Sequence, residues 1–144
     1  MLQAKAAKCA TWHPAHMSES ILVVAFSGHV FGVDPSSGEI AWSHDVGSET
    51  PRLIVTDTRV FAAGNGMCCL AYPSGELIWQ TKSYVSRTAT FMKSGDRLFA
   101  AINGEVECYS AVDGKSLWTN KFRGKGSDVV ALGTPSSVTQ ADRF

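Results

Sequence analysis

The stretch Gly32-Val-Asp-Pro-Ser-Ser-Gly-Glu-Ile-Ala-Trp42 decides the fold, because its order of strand, glycine turn, strand and tryptophan returns twice further along the chain. Aligned on the tryptophans, the three units read Gly28-His-Val-Phe-Gly-Val-Asp-Pro-Ser-Ser-Gly-Glu-Ile-Ala-Trp42, Gly66-Met-Cys-Cys-Leu-Ala-Tyr-Pro-Ser-Gly-Glu-Leu-Ile-Trp79 and Gly104-Glu-Val-Glu-Cys-Tyr-Ser-Ala-Val-Asp-Gly-Lys-Ser-Leu-Trp118. The tryptophans lie 37 and 39 residues apart and the leading glycines 38 and 38, a period of the size that propeller blades show. The middle copy is one residue shorter, and this alignment puts the deficit in its tryptophan turn.

Upstream of each copy runs a short apolar segment: Ile21 to Phe26, Arg59 to Ala63 and Arg97 to Ala101. Each is bounded by Ser-Gly or Asn-Gly, dipeptides that reach positive φ cheaply and so favour tight hairpins. One more strand candidate precedes each run, at Ala7 to Trp12, Arg52 to Thr56 and Thr88 to Met92. Short runs rich in Val, Ile, Phe and Leu, with turn residues every eight to twelve positions and no helical period, predict an all-β chain. The expected architecture is a β-propeller arc of three four-stranded antiparallel blades in a single domain over 1–144, with blade boundaries near 5–46, 51–83 and 87–122. Residues 124–144 are left as an extra strand, Asp128 to Leu132, followed by a loop from Gly133 to Ser137.

The units resemble the PQQ-like (quinoprotein-type) propeller repeats, whose tryptophan-docking signature is Ala-x-Asp-x-x-Thr-Gly-Lys-x-x-Trp. Asp34, Gly38 and Trp42 match it, with Gly32 and Ser37 as small-residue variants. Gly114, Lys115 and Trp118 match in the third copy, where Cys108 and Ser110 take the alanine and aspartate positions. Ser74, Gly75 and Trp79 match in the second. The resemblance covers roughly residues 20 to 122 and implies that Gly38, Trp42, Gly75, Trp79, Gly114 and Trp118 pack blade against blade, as a large aromatic recurring once per unit would.

The chain has 144 residues, 44% of them hydrophobic, with no low-complexity run, which suits one globular domain. Three units of this size make an arc, whereas closed propellers usually need four or more blades. The expectation is that the arc is part of something longer or closes with a second copy as a homodimer, because uncovered end repeats are poorly tolerated. Thirteen basic and thirteen acidic residues cancel without clustering, so nucleic-acid binding is not expected. No apolar run approaches membrane-spanning length, and no apolar segment follows the lysines of Met1 to Lys8, so membrane and secretory roles are not expected either. Four cysteines without an export signal read as reduced thiols in the cytoplasm.

Two clusters are candidates for chemistry. In quinoprotein methanol dehydrogenases, which this fold resembles, a vicinal cysteine pair lies over the cofactor, so Cys68-Cys69 is the candidate for quinone binding. Alternation along a strand argues against that role, because it points one thiol to each face of the blade. Cys9, His13 and His16 offer three metal ligands at Cys-x3-His-x2-His spacing, but without the paired spacing of structural zinc sites. Pro14 makes that segment read first as a turn. Asp34, Glu39, Glu76, Glu105 and Asp113 fall at turns, where carboxylates commonly cap or face solvent. No Gly-x-Ser-x-Gly elbow is present, and no helix follows Gly64-Asn-Gly66 to make a phosphate site. The sequence therefore predicts a non-catalytic interaction scaffold with no cofactor and an unidentified protein partner. The alternative is a fragment of a PQQ-dependent dehydrogenase or of a related quinone- or small-ligand-binding sensor.

Overall fold

In the computed structural model the described residues are 20–47, 52–64, 66–81, 90–135 and 137–139. Strands β1 (Leu22–Phe26), β2 (His29–Val33) and β3 (Ile40–Asp45) form a first sheet in that order. A four-stranded meander follows, β4 (Arg52–Val55), β5 (Arg59–Ala63), β6 (Met67–Ala71) and β7 (Leu77–Gln80). A second meander contains β8 (Thr90–Ser94), β9 (Arg97–Ile102), β10 (Glu105–Ser110) and β11 (Ser116–Asn120), and β12 (Leu132–Thr134) pairs with β13 (Ser137–Thr139). Every pairing is antiparallel, and the described residues contain no helix, hence none long and apolar enough to cross a membrane. The chain is an all-β arc of propeller blades. The strand expected at Ala7 to Trp12 lies outside the described residues.

Hairpin chemistry explains the meanders. Between β1 and β2, Ser27 (φ 50°) and Gly28 (φ 80°) both take positive φ, as do Asn103 (51°) and Gly104 (82°) between β9 and β10. Two consecutive positive-φ residues make the hairpin turn whose twist matches the flanking strands. The middle unit differs: Ala63 pairs with Met67 across three positions, where the equivalent pairs Ala25↔Val30 and Ala101↔Val106 enclose four. Its missing residue is therefore in the β5–β6 hairpin and not in the tryptophan turn, which corrects the expectation from glycine alignment. The three tryptophan turns are of one length, closed by Gly38 N to Asp34 O (2.8 Å), Gly75 N to Ala71 O (2.8 Å) and Gly114 N to Ser110 O (2.9 Å). Strand pairing fixes the register, and a glycine shifted within a hairpin loop cannot reveal it.

The sheets stack face to face, with β4 beside β8 and their fourth strands, β7 and β11, at the far edges. Alternation sends one set of residues from each strand to either neighbour. Val30, Val46, Val60, Ala62, Cys68 and Leu70 close the first sheet on the second, with Val23, Trp42 and Tyr72 at the margin. Phe61, Ala63, Met67, Cys69, Phe91, Leu98 and Ala111 close the second on the third, with Ile54, Trp79 and Tyr109 beside them.

The chain after β11 departs from expectation. Residues 128–131 are not strand, and β12 instead takes in Gly133 and Thr134, which the sequence reads as loop. Local polar bonds compete with the ladder there: Val129 N binds Asp128 Oδ1 (2.7 Å), and Val130 O accepts the hydroxyl of the buried Thr90 (2.6 Å). This segment lies over the third sheet, where a Cβ on Gly104 would stand 2.8 Å from Gly126 O, and β12 and β13 run beside β8.

Phe61, 1% exposed and with its ring centroid 6.2 Å from that of Trp79, lies at the centre of the second core. Phe61→Ala is expected to lower unfolding free energy by about 3 to 5 kcal/mol, as aromatic core truncations do. Urea denaturation followed by far-ultraviolet circular dichroism measures it, and a loss under about 1 kcal/mol would contradict this packing.

Candidate functional site

The tryptophan turn is built the same way three times from different residues. The side chain just before the glycine accepts the N–H just after it: Glu39 N to Ser37 Oγ (3.2 Å), Glu76 N to Ser74 Oγ (3.3 Å) and Lys115 N to Asp113 Oδ1 (3.0 Å). At the start of the turn, Asp34 Oδ1 accepts Ser36 N (2.9 Å) and Ser110 Oγ accepts Val112 N (3.2 Å). The middle turn has Ala71 and Pro73 at these places, so the acceptor is missing where proline has no N–H to donate. In the first turn the Ser36 hydroxyl also donates to Asp34 (2.7 Å), and these bonds hold the Asp34 carboxyl below the usual carboxylate range.

The second and third turns each face the tryptophan of the preceding sheet. Trp42 Nε1 donates to Pro73 O at 2.7 Å, and Trp79 Nε1 donates to Ala111 O at 3.1 Å. The indole lies on the glycine: a Cβ on Gly75 would collide with the Trp42 ring, and one on Gly114 would stand 2.5 Å from Trp79 Cε3. Both glycines have φ +78°, so only a residue without a Cβ both reaches this backbone and leaves the ring its place. Gly32 makes room for Trp42 from its own sheet in the same way. Arg59 adds a second bond across the joint, Nη1 to Ala111 O at 3.3 Å, and lies 4.0 Å from Cys69 Sγ.

Trp118 and Gly38 are placed differently. Trp118 is 42% exposed, with Phe99 6.1 Å away ring to ring, and nothing stands within 4 Å of a Cβ placed on Gly38, although its φ is also +78°. They are the same two parts of the joint, at opposite ends of the arc.

The candidate cysteines do not converge. Cys68 is buried in the core between the first and second sheets and Cys69 in the core between the second and third. Burial pushes the Cys68 thiol up to about 12, with Cys69 adding to it. Burial raises Cys69 and Cys108 as well, against the pull of Arg59 and Arg97 respectively. All three are free, buried thiols, Cys68 and Cys69 filling space between sheets and Cys108 lying opposite Phe99 and Trp118 on the far face of the third sheet. A cofactor that lies across a vicinal pair does not fit residues enclosed in separate cores. Cys9, His13 and His16 lie outside the described residues. Among the described ones, no three His, Cys, Asp or Glu side chains come together as metal ligands.

Sequence reading missed one polar cluster. Glu107 accepts the Tyr109 hydroxyl on Oε1, and Ser116 Oγ (2.9 Å) and Thr119 Oγ1 (3.2 Å) on Oε2. Burial and the neighbouring carboxylate push the Tyr109 phenol above its ordinary value. A carboxylate taken up by three donors has little left to offer a proton or a cation. The signal lay in the Glu107-x-Tyr109 alternation opposite Ser116 and Thr119, which only cross-strand pairing brings together. His44 Nε2 is buried without a hydrogen-bond partner, and the structure offers no account of it.

Comparison with known proteins agrees with this geometry. The family model described as "Outer membrane protein assembly factor BamB" matches residues 3–94 and again 64–142. Among solved structures, the computationally designed Ika8 protein superposes with a TM-score of 0.68 at 16% identity over 85% of this chain and 40% of its own. The designed Ika4 protein gives 0.67 at 16% identity, over 85% of this chain and 79% of its own. BamB from Moraxella catarrhalis gives 0.53 at 18% identity over 80% of this chain, which thus spans 36% of that protein. At such identities the likeness is one of fold. A search of curated proteins finds no match.

Two measurements test the joints and the thiols. Gly95 (φ +57°) also takes a left-handed backbone but has nothing within 4 Å of a Cβ, so Gly95→Ala meets backbone strain alone, about 1 to 2 kcal/mol. Gly114→Ala adds a collision with Trp79 and is expected to cost roughly 1 to 3 kcal/mol more by urea denaturation, as overpacking does. Equal losses would mean that the ring does not lie on the glycine. For the thiols, a folded pKa above the ordinary value of 9.0 favours the neutral form. The Cys68 contribution is thus intact below that pH and lost as pH rises toward about 12. The urea midpoint should fall over this alkaline window, and less steeply in Cys68→Ala.

Proposed function

We propose that this chain, which belongs to the outer membrane protein assembly factor BamB family of PQQ-like propellers, serves as a non-catalytic module that binds a protein. The observation that carries this reading is on the outer rim. Strands β3, β7 and β11 are the free edges of their sheets and expose Ile40, Leu77, Ile78 and Leu117 one after another around the arc. An edge strand offers unpaired backbone N–H and C=O groups, and aliphatic side chains beside them favour burial over hydration. That combination suits a partner that lays an extended segment along a sheet edge. A small substrate would need converging polar groups instead. The family description names an assembly factor, and carried to this chain it supports a protein as the thing bound.

Two experiments test the reading. Pyrroloquinoline quinone with calcium should give no saturable absorbance change and no rise in melting temperature, and a saturable response would overturn the non-catalytic assignment. Cross-linking in the native cell should capture a protein with the unaltered chain and lose it with the Leu77→Lys/Ile78→Lys variant at unchanged melting temperature. Equal capture by both chains would remove the rim as the binding surface.

A further inference from the structure

We propose that a pair of side chains at each joint fixes which turn a sheet accepts, so that the three sheets stack in chain order. The tryptophan contact cannot do this alone. Gly75 and Gly114 have the same φ of +78°, each lies under an indole, and both turns close through the same N–H to C=O bond. By that contact the second turn would suit Trp79 as well as Trp42. Misassembly is the characteristic failure of repeat proteins, so something beside the indole has to tell one turn from the other.

The two joints differ there. Leu22, Val60 and Leu98 hold one position, set by their pairing with Val33, Leu70 and Tyr109, each the residue before its tryptophan turn. Ile21, Arg59 and Arg97 precede them and so are equivalent. Tyr72 and Ala111 are equivalent as the second residues of their turns, with N–H groups bound to Thr58 O (2.9 Å) and Asp96 O (2.7 Å). At the second joint the earlier sheet supplies the side chain that crosses: Arg59 Nη1 donates to Ala111 O of the later turn at 3.3 Å. At the first joint the later turn supplies it: the Tyr72 hydroxyl donates to Ile21 O of the earlier sheet at 2.8 Å. Each joint therefore has one crossing donor, from opposite sides, facing a residue whose side chain has none to offer.

Each arrangement excludes the other. Ala111 is 4% exposed in the core it shares with Phe61, Cys69 and Leu98, so a tyrosine in its place would crowd the Arg59 guanidinium that reaches its carbonyl. The tyrosine hydroxyl would also find the equivalent acceptor taken, because Arg59 O already accepts Thr56 N (2.8 Å) and Thr56 Oγ1 (3.3 Å). Ile21 is 6% exposed, and an arginine there would push into the place where the Tyr72 hydroxyl meets the backbone. The second sheet stacked on the second turn would set Arg59 against Tyr72, two long side chains in one joint. The first sheet stacked on the third turn would set Ile21 against Ala111, with no crossing bond and a gap where the tyrosine ring stands. Crowding and unmet polar groups are how a surface rejects a wrong partner.

Urea denaturation of the full chain tests the pairs. Tyr72→Phe keeps the ring, removes the bond and should lower the folding equilibrium constant about fivefold. Ile21→Arg should cost about tenfold or more in the unaltered chain and at least about fivefold less beside Tyr72→Ala, and Ala111→Tyr should likewise cost less beside Arg59→Ala. Additive losses in either cycle, a double variant that does not fold included, would overturn the pairing. Order is tested by the Ile21→Arg/Tyr72→Ala chain, whose two joints are then of one kind. Diluted from urea at micromolar concentration, it should return a larger share of associated species than the unaltered chain in size-exclusion chromatography with light scattering, whereas Tyr72→Phe should not. An unchanged share, or the same rise with Tyr72→Phe, would mean that the pair does not set the order and would overturn the proposal.

Discussion

An indole laid flat on a glycine of the next sheet is the contact on which the rest depends. It is directional: the ring comes from the last strand of one unit, and the turn that receives it opens the last hairpin of the following unit. The joint combines three requirements that few residues meet together. The turn needs a left-handed residue at Gly75 and Gly114, the ring needs that residue to lack a Cβ, and the indole N–H needs a carbonyl within reach at Pro73 or Ala111. A large aromatic supplies much of the apolar area per residue that such an interface buries, with one polar group to orient it. Sheets joined this way cannot slide past one another without losing the hydrogen bond and the glycine contact together.

The remaining packing follows from that alignment. Once Trp79 is seated on Gly114, strand alternation decides that Phe61 and Cys69 face the third sheet while Val60, Cys68 and Leu70 face the first. The vicinal cysteines then have no shared surroundings. They are adjacent in sequence and separated by the thickness of a sheet, each desolvated enough that its thiolate is disfavoured. A pair that could suggest redox chemistry acts instead as two small apolar side chains, which is how free cysteine usually behaves when buried. The same logic makes Glu107 structural: its carboxylate ties β10 to β11 through Ser116 and Thr119.

Binding, on this view, belongs to surfaces that the repeat leaves over rather than to a pocket it encloses. Each unit spends its two faces on its neighbours. What remains is the outer edge strand with its aliphatic side chains. The rim differs in its side chains from unit to unit, with Ile40, Leu77 and Ser116 at one position. A rim suits a partner that can lie along successive edges.

The sequence by itself determined strands β1 to β11, their grouping into three units, the type of the hairpins at Ser27-Gly28 and Asn103-Gly104, and the opposed directions of Cys68 and Cys69. All of these rest on local rules: φ preferences, period-two alternation and recurrence at a fixed spacing. It also picked out Gly38, Trp42, Gly75, Trp79, Gly114 and Trp118, without showing what each one touches. Only the tertiary structure decided that Trp42 reaches Pro73 and Gly75, and Trp79 reaches Ala111 and Gly114, while Trp118 and Gly38 meet no such counterpart among the described residues. It moved the short copy's missing residue from the tryptophan turn to the β5–β6 hairpin, replaced the strand expected at Asp128 to Leu132 by a later hairpin, and brought Tyr109, Ser116 and Thr119 onto Glu107. The reason is common to all of these. Each depends on which residues stand opposite one another across strands or sheets, and that register is set by pairing and packing over distances that spacing along one chain does not encode.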